Sequence, residues 1–100
     1  MKLYEIAHCR AGDKGNTSIL SVIAYRAEDY PLLLEKITAT AVQQHLRGIV
    51  AGRITRHEAP KLAALQFVCE EALLTGVTTS LAMDTHGKAL SSALLEMTIS

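Results

Sequence analysis

The sequence has no excess of either charge: ten Lys and Arg residues face ten Asp and Glu residues. A general nucleic-acid or anionic-membrane binder needs a basic surplus, so that class is set aside. The composition is also the reverse of a disordered one, because 49% of the residues are hydrophobic and the net charge is zero. No apolar run approaches the roughly 18 residues of a membrane span. The opening Met1-Lys2-Leu3-Tyr4-Glu5 puts a carboxylate where a signal peptide has its apolar stretch. A soluble, cytoplasmic domain is the expectation. Cysteine is scarce, with only Cys9 and Cys69, and a cytoplasmic setting keeps such thiols free. There is no C-x-x-C pair and no H-E-x-x-H; His57-Glu58-Ala59-Pro60-Lys61 breaks the latter at its fifth position. His8, His45, His57 and His86 are scattered. Neither a metal nor a cofactor is expected.

What is present is one domain's worth of chain, residues 1–100, able to bury roughly two-thirds of its unfolded surface. Leu3 to Cys9 alternates weakly and reads as a first strand. Ser18 to Tyr25 is rich in apolar and β-branched residues and reads as a largely buried second strand. Pro31 suits the first turn of a short helix that continues to Lys36. Thr38 or Thr40 can cap a second helix, with Val42 and Leu46 on one side and Gly48 as its stop. Gly52 to Glu58 predicts a third strand. Leu62, Leu65, Cys69, Ala72 and Leu73 fall at helical spacing and predict a helix over Lys61 to Leu74. Its apolar surface is wide enough to want two neighbours, the sheet and either a second helix of the chain or another subunit. Val77 to Met83 reads as a fourth strand and Asp84 to Gly87 as a turn. Leu90, Ala93, Leu94 and Met97 mark a last helix, with Thr98 to Ser100 as an extended tail. Helices do not alternate regularly with strands. The expected class is therefore α+β, a two-layer sandwich of one mixed or antiparallel sheet with helices on one face.

Between the first two strands lies Arg10-Ala11-Gly12-Asp13-Lys14-Gly15-Asn16, a dense turn signal. Glycines three apart can present successive N–H groups to an anion, with Arg10 and Lys14 adding charge. Asp13 is a candidate general base and His8 a second acid–base candidate. Equally, Asp13 can be a turn former paired with Arg10. The segment is neither a P-loop nor a dinucleotide fingerprint. Gly12-Asp13-Lys14-Gly15 matches the G-x-x-G clamp of KH domains, but that clamp joins two helices, and both flanks here read as strands.

The run Ala7 to Asn16 resembles the A-x-A-R-S-G-D-K-G-[DN] signature of the AtuA-like domain, the small domain of proteins resembling the acyclic terpene utilisation protein AtuA. Glu58 to Val68 is similar to the family's E-L-P-x-L-x-A-L-N-F-V. The likeness continues through Gly76 to Leu81 and Gly87 to Leu95. It implies a ferredoxin-like fold and a setting in the breakdown of acyclic terpenes and branched acyl-CoA compounds. It implies a larger AtuA-like protein as partner, since the domain also occurs as a short chain beside one. The signature marks Arg10, Gly12, Asp13, Lys14, Gly15 and Asn16, and the Gly12–Asn16 loop is expected to be an anion-binding or shared-site element. Ala11 stands where Ser is usual, and Gln66 where Asn is usual. Two other readings stay open: a small enzyme with its site between subunits of a homo-oligomer, binding a carboxylate or acyl-CoA, and a structural interaction module.

Overall fold

The computed structural model describes residues 1–15, 17–71 and 87–99. Among the described residues four strands form one sheet: β1 (Ala7–Lys14), β2 (Thr17–Ala24), β3 (Ile54–Ala59) and β4 (Ala64–Cys69). The spatial order is β1-β2-β4-β3, and every neighbouring pair is antiparallel. Among the described residues three α-helices accompany the sheet: α1 (Tyr30–Lys36), α2 (Ala39–His45) and α3 (Gly87–Leu95). In contact terms α1 meets β4, α2 meets β3, and α3 meets β1 and β2. This is the expected ferredoxin-like α+β architecture. The sheet resolves to antiparallel.

Alternation along β2 sets the two faces. Ser18, Leu20, Val22 and Ala24 are buried, while Thr17, Ile19, Ser21 and Ile23 are only half-buried. Leu65, Phe67 and Cys69 of β4 join the buried face and are fully enclosed. Leu33, Ile37, Val42, Leu90 and Leu94 of the helical layer close over it. Pro31 sits in the first turn of α1, and the Thr38 Oγ1 accepts from the Ala41 N–H at 3.0 Å to cap α2. The Tyr30 hydroxyl donates to the Ala64 carbonyl at 2.9 Å and ties α1 to β4. Arg56, inward on β3, donates to the Leu34 and Ile37 carbonyls at 2.9 and 3.0 Å. A cation there satisfies carbonyls that the end of α1 leaves without partners.

The chain ends meet. Thr98 bridges Lys2, the Leu3 N–H donates to the Met97 carbonyl at 2.8 Å, and the Ile99 N–H donates to Met1 at 2.9 Å. The Lys2 ammonium and the His45 ring Nε2 donate to the Glu96 and Ala93 carbonyls, anchoring the last turn of α3.

Two expectations need correcting. Leu3–Glu5 is a 3-10 turn, and the first strand starts later, at Ala7, and runs to Lys14. The helix expected over Lys61 to Leu74 is absent from its described part. Pro60–Leu62 is a 3-10 turn, Ala63 takes a left-handed φ of 51°, and Ala64–Cys69 is a central strand. Leu65, Phe67 and Cys69 fit a period of two as well as Leu62, Leu65 and Cys69 fit a helix. Pairing on both edges, with β2 and β3, decides for the strand. The wide apolar helix surface, and the subunit contact inferred from it, go with that helix. The strand expected at Val77 to Met83 lies outside the described residues, as does the turn expected at Asp84 to Gly87 except for Gly87, which opens α3.

Candidate functional site

The sheet turns one face to the helices, and among the described residues nothing covers the other. Register fixes what that open face carries. Arg10 pairs with Ser21, Ser21 with Gln66, and Gln66 with His57. These four residues form one transverse row over all four strands. A second row runs His8, Ile23, Ala64 and Ala59, and a third Gly12, Ile19, Val68 and Thr55. One polar row thus lies between two largely apolar ones.

A cavity of about 470 Å³ occupies the first two rows. Arg10, Ser21, Gln66 and His57 line it, with Ile23, Ala64 and Ala59 beside them and Leu62 at the rim. Leu62 is 71% exposed, an uncommon position for a leucine. It is carried there by the 3-10 turn that Pro60 opens. Glu58 also borders the cavity, and its Oε2 accepts from the Arg56 Nη2 at 3.1 Å. None of the Arg10, Ser21, Gln66 and His57 side chains makes a hydrogen bond or ion pair with a described residue.

The expected site residues separate on this sheet. Arg10, Gly12 and His8 belong to the open face. The His8 ring stacks on Tyr25, centroids 5.4 Å apart and planes 20° from parallel. Asp13 falls opposite Ser18, at a register position of the helix-covered face. Ser18 is fully buried, and its Oγ has no hydrogen-bond partner. Three residues apart on one strand, Arg10 and Asp13 belong to opposite faces. His8 and Asp13, five apart, are divided in the same way. Lys14 pairs with Thr17 at the end of the hairpin, and Gly15 makes the turn with φ +65°. Asn16 lies outside the described residues.

The reading of this stretch as a loop needs correcting. The stretch from Arg10 to Lys14 is strand and not loop, and among the described glycines only Gly15 has a positive φ. Successive N–H groups of a strand point to alternate sides, so within Gly12 to Lys14 they do not converge on one side. A tight two-residue hairpin favours a left-handed residue, which accounts for Gly15 without any ligand.

Ser21, Gln66 and His57 were not expected at a site. A helix over Lys61 to Leu74 takes Gln66 out of the sheet, so no face joins it to Ser21 and His57. The signal lay in register, which a sequence shows only once the strands are paired correctly. Neither cysteine belongs to the open face. Burial pushes the Cys9 thiol up to about 12 and the Cys69 thiol up to about 11. Among the described residues no three His, Cys, Asp or Glu side chains come close enough to hold a metal ion. No described helix is long and apolar enough to cross a membrane.

The family model of the AtuA ferredoxin-like domain matches residues 1–100, the whole chain. No curated protein and no solved structure matches it. The chain belongs to the AtuA ferredoxin-like domain family.

Proposed function

We propose that, as a member of the AtuA ferredoxin-like domain family, this chain is an accessory subunit or domain of an AtuA-type protein acting in acyclic terpene or branched acyl-CoA and carboxylate catabolism. The larger partner supplies most of the chemistry. This chain contributes the open face of its sheet, with Arg10 and His8, and the hairpin end carrying Gly12, Asp13, Lys14, Gly15 and Asn16, to a shared site.

The observation that carries this reading is the composition of the open face. Half-buried Ile19, Ile23 and Val68 stand beside exposed Leu62 and Tyr25, the latter 61% exposed. A sheet with one solvated face ordinarily shows polar residues there. Apolar residues around a polar row suit a surface that another protein covers. Membership of the AtuA ferredoxin-like domain family supports reading that protein as an AtuA-type one. Placement of the signature supports the reading as well. Residues 10–14 extend β1 alongside β2 as far as the Lys14–Thr17 pair, whereas the β2–β4 pairing stops at Ser18 and Cys69. The hairpin end therefore stands at the margin of the sheet, where a second protein can meet it.

Native mass spectrometry of the tagged chain, recovered from its own cell at natural expression, tests the proposal. A stoichiometric complex with a larger AtuA-type protein is expected. A homo-oligomer with no larger partner would overturn it.

A further inference from the structure

We infer that the trough on the open sheet face is a binding site for a monocarboxylate with an apolar tail, its carboxylate held by Arg10 and its tail lying along Ile23 and Ala64 beneath Leu62. The inference stands on this chain's own residues and goes beyond the accessory role. Arg10 carries an exposed guanidinium with no partner among the described residues, beside Ser21 and Gln66, which pair in register and are equally unengaged among them. A planar guanidinium fork matches a carboxylate through two parallel hydrogen bonds. The Ser21 hydroxyl and the Gln66 amide add donors next to it. The neighbouring row, Ile23, Ala64 and Ala59, offers apolar surface.

Charge decides the class of head group. The row holds one permanent cation, and the one carboxylate at the rim, Glu58, is engaged by Arg56. A single guanidinium suits a single negative charge. A phosphate dianion would gather more cations than this row offers. Size is consistent: about 470 Å³ lies within the range of small-molecule sites. The row spans three inter-strand spacings, about 14 Å at ~4.8 Å each. A second copy of the chain is the weaker occupant. Packed face to face, its own Arg10 and His57 would meet this row without a carboxylate to pair them.

Octanoate titrated into the full chain, followed by two-dimensional NMR, tests the site. Saturable shifts are expected at Arg10, Ser21, Ile23, Ala64 and Gln66. 1-Octanol, which keeps the tail and loses the charge, should bind at least ten-fold more weakly, and inorganic phosphate should not saturate. Arg10→Ala should weaken octanoate at least ten-fold, and Arg10→Lys, which loses the fork, several-fold. Ser21→Val keeps strand propensity while filling the trough, and should also weaken binding. The remaining resonances of each variant report on its fold. Absent or non-saturable octanoate binding, equal binding of octanol, saturable phosphate binding, unchanged affinity in folded Arg10→Ala and Ser21→Val, or self-association through the same residues would each overturn the inference. Failure here leaves the accessory role standing, because native mass spectrometry reads that role without octanoate.

Discussion

Arg10 and His57 lie at opposite ends of one row on the open sheet face, joined in register through Ser21 and Gln66. They are 47 positions apart in the chain. Two hairpins bring them together. The β1–β2 hairpin places Arg10 beside Ser21, the β3–β4 hairpin places His57 beside Gln66, and the central β2–β4 pairing joins the halves. The site is thus a product of register, and substitutions that disturb register or the helical layer behind it should be felt there.

Arg56 is the first such residue. Its guanidinium bonds the Leu34 and Ile37 carbonyls at the end of α1 and the Glu58 carboxylate on its own strand. The side chain is 21% exposed, so the ion pair with Glu58 is partly screened and the carbonyl bonds dominate. Hydrogen bonds involving a charged group contribute about 1.5–3 kcal/mol each, net of the exchange with water. Arg56→Met is expected to lower unfolding stability by about 2 kcal/mol in urea titration, with Arg56→Lys intermediate because it loses the fork. A change below about 0.5 kcal/mol for Arg56→Met, the scale of an ordinary surface substitution, would remove Arg56 from this role.

Gly52 marks a close approach of two backbones just before β3. Its N–H donates to the Glu70 carbonyl at 3.1 Å, and its own carbonyl accepts from the Gln43 side chain at 3.0 Å. A Cβ at this position would stand 2.5 Å from the Glu70 oxygen and 2.8 Å from its carbonyl carbon. Backbone cannot turn aside as a side chain can. Gly52→Ala should cost about 1–3 kcal/mol, as overpacking does, and lower the thermal midpoint. By contrast Gly12, where an added Cβ meets nothing within 4 Å, should tolerate alanine with little change in stability.

Much of this arrangement was legible in the sequence. The second strand, both short helices with Pro31 and Thr38 at their starts, the strand near Gly52 to Glu58 and the last helix all follow from local patterning. In these segments propensity, capping and periodicity agree. Residues 61–71 were not legible, because a short apolar run satisfies both periods and only pairing partners choose between them. The signature was visible as residue types but not as geometry. Turn-forming residues predict a loop, whereas eight register pairs with β2 make the segment from Ala7 to Lys14 a strand. Arg10 was recognisable from the signature. Ser21, Gln66 and His57 were not, since sites made by register leave no contiguous motif.

The thiols give a pH dependence. Burial raises Cys9 to about 12 and Cys69 to about 11, from an ordinary value of 9.0. Both therefore stay protonated in the folded chain at pH values where the unfolded chain has begun to ionise. Their contribution to stability is complete below pH 9 and is lost as pH rises from 9 through 11 and 12. Urea unfolding at pH 8 and pH 10 should show that loss, and a Cys9→Ala, Cys69→Ala double variant should show a smaller one. A disulfide-exchange reagent should label the native protein slowly at pH 8 and label both thiols rapidly in urea. Equal loss in the double variant would assign the alkaline instability to other groups.

The proposed role turns on which face of the sheet meets the proposed partner. Methyl NMR of the labelled chain, recorded alone and with the proposed larger AtuA-type protein, measures this directly. Ile19, Ile23, Leu62 and Val68 are expected to shift on complex formation while Leu33, Val42, Leu46 and Leu90 beneath the helical layer hold their positions. Shifts confined to residues on the outer side of the helices, with the open-face methyls unmoved, would contradict it.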